Sequence, residues 1–419
     1  MKNNYRWRIC ALLFFATTIN YIDRQVISIL APQLQEIFSW SEKDYGYIIM
    51  SFQIAYAIGL LGTGRFLDKF GVRIGYTIAI VVWSIFAASH AFARSVITFA
   101  AARFGLALGE SANFPASIKA VAEWFPKKER ALATGIFNSG STIGAILAPL
   151  LIPFLAVTWG WQWAFIITGV LGFIWLLFWV FMYKSPDKVS TLSKTEFEHI
   201  HSDREPEVKV SIPWLKLLTY KQTVGICLGR FVTDPVWWFF LYWLPKYLSE
   251  QHGLNIQGMG IPLIIIYTFS SIGGIGGGWL SSYFIRKGKS IDFARKTTIL
   301  AFALIVTPIF LLSYFPSLTL AITLISFAAA AHQAWASNIF TVVSDIYPKN
   351  AVGSVTGLAG FAGAIGGILF APLVGFILDA TGNYQIIFGI VSCAYLLAWL
   401  FLKLFVRRIE PLNMTEVKS

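Results

Sequence analysis

Apolar runs of about 20 residues, the length at which an α-helix crosses the hydrocarbon core of a bilayer, recur along this chain. A membrane β-barrel would instead show roughly ten-residue segments of alternating polarity. The 419 residues are 56% hydrophobic and 13% charged, where soluble domains carry about 25% charge. The chain therefore reads as an all-α, multi-pass membrane protein.

Twelve spans can be drawn, near 7–31, 44–65, 73–93, 95–118, 131–155, 160–183, 221–248, 259–285, 294–315, 318–343, 351–378 and 384–405. Between the sixth and seventh lies a polar, proline-containing segment. The expected organisation is a six-helix bundle over 1–184, a cytoplasmic linker over 185–212, and a second six-helix bundle over 213–419 with a short tail. The first run carries Asp23 and Arg24 and lacks a small-residue cleavage site, so it reads as a span and not a signal peptide.

Lys and Arg settle orientation. With the N-terminus in the cytoplasm, the inside receives Lys2, Arg6, Arg8, Arg65, Lys69, Arg73, Lys119, Lys127, Lys128, Arg130, Arg286, Lys287, Lys289, Arg295, Lys296 and Lys349, together with the basic residues of the linker and tail. The outside receives only Lys43, Arg94 and Lys246. Both termini are expected inside. The asymmetry accounts for the net charge of +12 without nucleic acid as a partner. Cys10, Cys227 and Cys393 form no metal-ligand spacing and read as packing residues. No metal or cofactor is expected.

An internal repeat supports two halves. Phe125-Pro126-Lys127, Thr134-Gly135 and Ile143-Gly144 recur, all at one constant offset, as Tyr347-Pro348-Lys349, Thr356-Gly357 and Ile365-Gly366. Parallel six-span repeats are a common build of secondary transporters. Gly135, Ser139, Gly140 and Gly144, and Gly353, Gly357, Gly360, Gly363 and Gly367, recur at helical spacing and suit close helix packing. The run Gly273, Gly274, Gly276, Gly277 and Gly278 predicts a weak helix with a bend.

Charge at bilayer depth is disfavoured by roughly 2.5–3.5 kcal/mol per residue and usually marks a substrate or proton path. Asp23 and Arg24 lie in the first span, Arg103 and Glu110 in the fourth. Two helical turns separate Arg103 from Glu110, so they share a face about 10 Å apart along the axis. Asn113 and Ser117 continue that face. A carboxylate beside a cation in a low dielectric can exchange its proton, releasing the arginine to bind an anion. Glu110 is the first candidate for the proton carrier and Asp23 the second. An arginine's planar fork suits a carboxylate substrate.

The second half differs. His332 falls at the position of Glu110 in the repeat, among Gln333, Trp335, Ser337 and Asn338. The seventh span carries Arg230, Asp234, Trp237, Trp238 and Tyr242. Hydrogen-bonding groups alternating with aromatic faces suit a polyhydroxylated ligand. Trp238, His332, Gln333, Trp335 and Asn338 are the expected contacts there. Between spans two and three, Gly64-Arg65-Phe66-Leu67-Asp68-Lys69-Phe70-Gly71-Val72-Arg73 reads as a tight turn that latches helix ends, with Gly64, Asp68, Gly71 and Arg73 as its key positions.

That stretch resembles the cytoplasmic loop signature of the major facilitator superfamily; its second-half counterpart, Gly278 to Gly288, lacks the acid. Asn20-Tyr21-Ile22-Asp23-Arg24 and Arg103-Phe104-Gly105-Leu106-Ala107-Leu108-Gly109-Glu110 resemble the anion:cation symporter branch. Thr233 to Trp238, Trp243 to Tyr247 and His332 to Trp335 are similar to bacterial hexuronate transporters. The resemblance implies a twelve-helix, alternating-access symporter for protons and an organic anion such as glucuronate or galacturonate. It implies substrate contacts from Tyr21, Arg24, Tyr56 and Asn138, proton handling by Asp23 and Glu110, and Arg103 paired with an acid. In sugar-acid relatives a glutamine can stand at the position of Ser141.

The expected protein is thus a monomeric secondary transporter in a bacterial inner membrane, with lipid, protons and a sugar acid as partners. Aldonates, aromatic acids and phosphate-like anions are alternative cargoes. A membrane-embedded enzyme would need a nucleophile–base or metal constellation, and neither HExxH nor GxSxG occurs.

Overall fold

The computed structural model describes residues 4–202, 214–315 and 317–412. Lys2, linker residues 203–212, Pro213 and tail residues 413–419 lie outside the described residues, as do the side chains of Lys127, Lys128 and Lys349. The described residues contain no strand. Their α-helices are α1 (Tyr5–Phe38), α2 (Glu42–Ser89), α3 (Val96–Glu110), α4 (Asn113–Trp124), α5 (Lys127–Trp159), α6 (Trp161–Met182), α7 (Lys194–His201), α8 (Trp214–Leu218), α9 (Lys221–Tyr242), α10 (Leu244–His252), α11 (Gly260–Arg286), α12 (Ile291–Val306), α13 (Leu318–Ile346), α14 (Lys349–Thr381) and α15 (Gln385–Phe405).

Nine helical stretches among the described residues are long and apolar enough to cross a bilayer. One of them, α2 with its terminal turn, holds two spans. Adding α1 and the α3–α4 pair, which carry the buried charges, completes the expected twelve crossings. The chain divides into two compact units, Met1–Glu207 with Asn255–Gly260, and Val208–Leu254 with Ile261–Ser419.

Several expected features change in detail, and proline explains three of them. The fourth span, read as continuous, breaks between Glu110 and Asn113. Pro115 has no N–H for the Ser111 carbonyl, and its ring crowds that turn. The break is local, because Ser111 N still bonds Ala107 O and Ala116 N bonds Ala112 O, each at 2.9 Å. The seventh span splits at Trp243, where Pro245 opens α10. The ninth tightens into a 3₁₀ turn, Thr307–Ser313, at Pro308.

Two glycine readings also change. The segment expected as a loop between spans two and three is helical, and only Gly71 departs, at φ 74° and ψ 163°. A side chain is strained there, so glycine makes the bend. The glycine run of α11 does not interrupt its helix, which is continuous from Gly260 to Arg286. It serves close packing instead: a Cβ on Gly273 would stand 2.1 Å from Ala330 O, and one on Gly277 would stand 2.5 Å from Ala334 Cβ.

The same device seats α5 on α1 and α14 on α9. A Cβ on Gly144 would lie 2.5 Å from Thr18 O; one on Gly366 would lie 2.1 Å from Phe231 O. Lipid supplies no hydrophobic drive between helices, so backbone approach and dispersion hold these crossings. By contrast, Gly135, Gly353 and Gly357 have nothing within 4 Å of a Cβ position.

The linker helix α7 docks on its own unit. Glu196 accepts from Tyr5 N, Arg6 N and Arg6 Nη1, each at 3.2 Å. A carboxylate at the start of α1 satisfies orphan N–H groups and complements the helix dipole. Arg6 Nε also reaches Glu129 Oε2 at 3.0 Å, and His199 Nε2 lies 2.8 Å from Glu129 Oε1. Partial burial pushes the Glu129 carboxyl up, but its hydrogen bonds to His199 and Arg6, with their charges, outweigh burial and hold it below its ordinary 4.5.

Two outcomes follow in detergent-solubilised protein. Gly366→Ala forces the crossing apart and should lower stability by about 1–3 kcal/mol, whereas Gly357→Ala should be neutral or slightly stabilising; thermal unfolding checks both. Glu129→Gln should lower stability at pH 7 by about 1 kcal/mol, given partial exposure. A carboxylate with a depressed folded-state value stabilises fully above its unfolded value and loses that as pH falls through the folded one. The gap between variant and parent should therefore close below pH 4.5.

Candidate functional site

The buried charges of the first unit converge. Arg24 comes from α1, one turn after Asn20, and Glu110 from the last position of α3 before the Pro115 break. Arg24 Nε and Nη2 lie 3.0 and 2.9 Å from Glu110 Oε2. Asn20 Oδ1 accepts from Arg24 Nη2 at 3.2 Å. Side-chain exposure is 5% for Arg24 and 0% for Glu110, so the pair sits in a low dielectric.

Aromatic rings enclose the guanidinium. Its carbon lies 4.9 Å from the Tyr21 ring centre, 5.3 Å from Phe52 and 5.0 Å from Tyr56. Phe52 and Tyr56 stack at 5.8 Å, one turn apart on α2. Cation–π attraction strengthens when the cation is desolvated, as here. Tyr21 and Tyr56, expected as substrate contacts, thus meet at Arg24.

Arg103 is fully buried, 4.5 Å from the Phe52 ring centre, and donates to Arg24 O at 3.2 Å. Arg103 and Thr168 lie beside the Asp23 carboxylate. The Asp23 carboxylate, with the Thr168 hydroxyl beside it, and Glu110 Oε1 are buried. Each carboxyl group therefore keeps an oxygen that can take a proton.

Other expected residues are held elsewhere. Asn113 Oδ1 accepts from Tyr76 OH, and Asn113 Nδ2 lies 3.4 Å from Thr17 Oγ1, so its amide ties α4 to α2 and α1. Asn138 is exposed on α5. At the latch, Asp68 Oδ1 meets Lys119 Nζ at 2.7 Å, and Lys119 also donates to Leu67 O at 3.1 Å. Arg73 Nη2 donates to Val180 O at 2.8 Å, while Trp179 Nε1 donates to Arg73 O at 3.3 Å. These contacts join the bend at Gly71 to the ends of α4 and α6. No heavy atom lies within 4 Å of a Cβ position at Gly64.

In the second unit His332 stacks on Trp237 at 5.0 Å, with rings 8° from parallel, and its Nδ1 lies 2.6 Å from Tyr395 OH. Trp335 is buried and meets Tyr395 edge-on at 5.9 Å. Trp238 stacks on Tyr242 at 5.7 Å. Gln333 is half-buried at Gly274. Asn338 Nδ2 donates to Gly277 O at 3.1 Å and Ala334 O at 2.9 Å, bridging α13 to α11. Arg230 and Asp234, read in the sequence as part of the polar and aromatic set of the seventh span but not as a pair, form an ion pair of 2.7 Å; their spacing of one turn on one helix was the available signal.

In the second unit an ion pair joins α12 to α13. Arg295 Nε meets Asp345 Oδ2 at 2.8 Å, and Arg295 Nη1 meets Ser281 Oγ at 2.7 Å. Arg295 and Asp345 occupy the positions of Arg73 and Glu123 in the internal repeat.

The glycine crossings reveal a second register. Gly366 follows Gly144 at the offset of the repeat, but Phe231, which Gly366 faces, follows Thr18 by a shorter interval. Trp237 follows Arg24 by that same shorter interval, so Trp237 holds the position in α9 that Arg24 holds in α1. The ion pair Arg24–Glu110 in one unit thus corresponds to the ring stack Trp237–His332 in the other.

Removing either member of the ion pair should have unequal effects. An arginine cannot shed its proton, so Glu110→Ala leaves a buried cation and should destabilise by about 3–5 kcal/mol. Arg24→Ala leaves a carboxyl that neutralises by taking a proton, so its loss should be smaller. Thermal unfolding of the two variants and of the double variant measures the difference.

The sequence profile described as Major Facilitator Superfamily matches residues 13–371 and 288–418. The hexuronate transporter of Escherichia coli (strain K12) is 34% identical over 382 residues, covering 90% of this chain and 88% of its own. The galacturonate transporter of Dickeya chrysanthemi is 35% identical over 306 residues, covering 72% and 88%. The crystal structure of a D-xylose-proton symporter superposes with a TM-score of 0.76 at 19% identity, over 97% of this chain and 99% of that one.

Proposed function

The chain belongs to the Major Facilitator Superfamily, and on that premise we propose that it is a proton-coupled symporter that imports a monovalent sugar acid, a hexuronate foremost, by alternating access. It is a transporter and not an enzyme. The observation that carries the reading is the Arg24–Glu110 pair inside its aromatic enclosure.

The pair works as an exchange. In the resting state Glu110 neutralises Arg24. A proton arriving at Glu110 cancels its charge and frees the guanidinium fork. A substrate carboxylate then takes that fork with two charge-assisted hydrogen bonds. One proton and one anion enter together, so no net charge is left buried. Asp23, buried beside Arg103 and Thr168, serves as a second proton acceptor. Tyr21, Tyr56 and Asn20 line the arginine and supply hydroxyl and amide contacts to the bound anion.

Hexuronate is favoured over other organic anions because relatives named for hexuronate and galacturonate transport are 34% and 35% identical. The distribution of Lys and Arg supports an inner-membrane protein with both termini in the cytoplasm. On that orientation the α7 clasp and the latch at Gly71 lie on the cytoplasmic side. The protein acts as a monomer.

Proteoliposome transport tests the proposal. Glucuronate and galacturonate should exchange by counterflow, and an inward proton gradient should drive their accumulation with acidification of the lumen. Failure of both sugar acids to exchange would sink the hexuronate assignment. Glu110→Gln should abolish proton-driven accumulation while keeping counterflow; accumulation at the parental level would remove Glu110 from the coupling.

A further inference from the structure

We propose that the seam between α12 and α15, with the tail of the chain folded against it, is a docking surface for an anionic phospholipid, whose phosphate is held by Lys289, Lys403, Arg407 and Arg408. The surface lies wholly within the second unit and is independent of the cargo.

The two helices are tied at both ends. Gln385 Nε2, at the start of α15, donates at 3.3 Å to Ser313 O in the 3₁₀ turn that follows α12. Toward the other end, Trp399 Nε1 donates at 3.1 Å to Lys296 O in the second turn of α12. The outer faces are apolar and uncovered: Phe293 and Leu304 on α12, and Leu397, Leu400 and Leu404 on α15, are exposed. In a spanning helix such a face meets acyl chains. Nothing in that stripe distinguishes one lipid from another.

The end of the seam does. The chain leaves α15 at Phe405 and folds back on α12, with Val406 and Ile409 buried. Lys296 Nζ donates to Arg407 O at 2.7 Å, Ile409 N to Asp292 Oδ1 at 2.9 Å, and Leu412 N to Ile346 O at 2.8 Å. Three main-chain ties thus fix a segment that has no helix or strand of its own. They leave Arg407 and Arg408 exposed by the first turns of α12. The turn before that helix, bent at Gly288 with φ 77°, presents Lys289. Lys289 Nζ lies 5.8 Å from the Phe293 ring centre, and Lys403 Nζ lies 5.0 Å from that of Trp399. Long stems along apolar surface carry their ammonium groups to headgroup level.

Among the described residues, none of the four cations meets a carboxylate at ion-pair distance. Asp292 is occupied by Lys296 at 2.7 Å, and Glu410, the acid of the described tail, is exposed. Membrane topology asks only that cations stand near the ends of spans. It does not require the chain to fold back and be tied at three points to place them. An arginine fork holds phosphate oxygens with paired hydrogen bonds, and lysines add point charge. Basic groups beside a span draw anionic lipid, and salt weakens the attraction. A phosphodiester carrying two acyl chains meets both parts of this surface. Free phosphate has no use for the seam, and a zwitterionic lipid brings no net charge to the cations.

Native mass spectrometry of the detergent-solubilised full chain tests the assignment, with phosphatidylglycerol, phosphatidylcholine and glycerol phosphate as probes. Phosphatidylglycerol should bind about tenfold tighter than phosphatidylcholine, and glycerol phosphate at the same concentration should not displace it. The triple variant Lys403→Gln, Arg407→Gln, Arg408→Gln should lose the preference, whereas Lys43→Gln in the first unit should keep it. Asp292→Ala separates an organised site from plain charge. It makes the protein more positive but unties the tail, so phosphatidylglycerol should bind more weakly, where charge alone tightens it. Equal binding of the two lipids by the parent, displacement by glycerol phosphate, a folded triple variant that keeps the preference, or undiminished binding by Asp292→Ala each overturns the proposal. If thermal unfolding shows that the triple variant does not fold, Arg407→Gln alone decides, and unchanged binding overturns the assignment.

Discussion

An arginine held in a low dielectric must stay charged, and the first unit is arranged around that fact. Arg24 is 4% exposed and cannot neutralise itself. It must always have an anion at its fork. Glu110 is that anion, delivered from another helix 2.9 Å away. The partner can be exchanged because a carboxylate can become neutral and a guanidinium cannot. The aromatic rings around Arg24 stabilise the desolvated cation. The break at Pro115, directly after Glu110, belongs to the same arrangement. Discontinuous helices in transporters bring backbone groups and local freedom to the level of the site.

The glycine crossings determine how such groups can be placed at all. At Gly144 and Gly366 the neighbouring backbone comes within 2.5 Å of where a Cβ would stand. Helices this close carry residues one turn from the crossing into direct register with the facing helix. Tyr21 on α1 and Asp234 on α9 both sit at such positions, against Gly144 and Gly363. A single geometric device therefore serves both units, while the side chains it positions have diverged from an aromatic ring to an acid.

Legibility followed the physics of each feature. The spans were readable because apolar length is a property of sequence alone. The pairing of Arg24 with Glu110 was readable in outline, since two isolated opposite charges in lipid must find each other. Which of the four charges would pair was not, because it depends on the approach of α1 to α3. The Gly71 bend and the proline breaks were visible as residues, but whether proline interrupts or merely bends a helix depends on tertiary support. Pro235 lies inside α9 without ending it, whereas Pro245 coincides with a break. The glycine run of α11 has low helix propensity, yet the helix continues through it, packed against Ala330 and Ala334. Tyr395 carried no signal at all, since a tyrosine in an apolar span reads as filling. Its bond to His332 is a contact between different helices, far apart in sequence.

The repeat shows how the two units come to hold different side chains at matching positions. Its constant offset gives His332 the position of Glu110, but the packing of α9 runs on a shorter one and gives Trp237 that of Arg24. Where the first unit has an exchangeable ion pair, the second has two stacked rings that carry no obligatory charge. Its own charges, Arg230 and Asp234, neutralise one another on a single helix and need no third party. The Arg24–Glu110 pair is split between two helices, where the partners can separate once the acid is neutral. The Arg230–Asp234 pair lies one turn apart on one helix, where the backbone holds both partners in place.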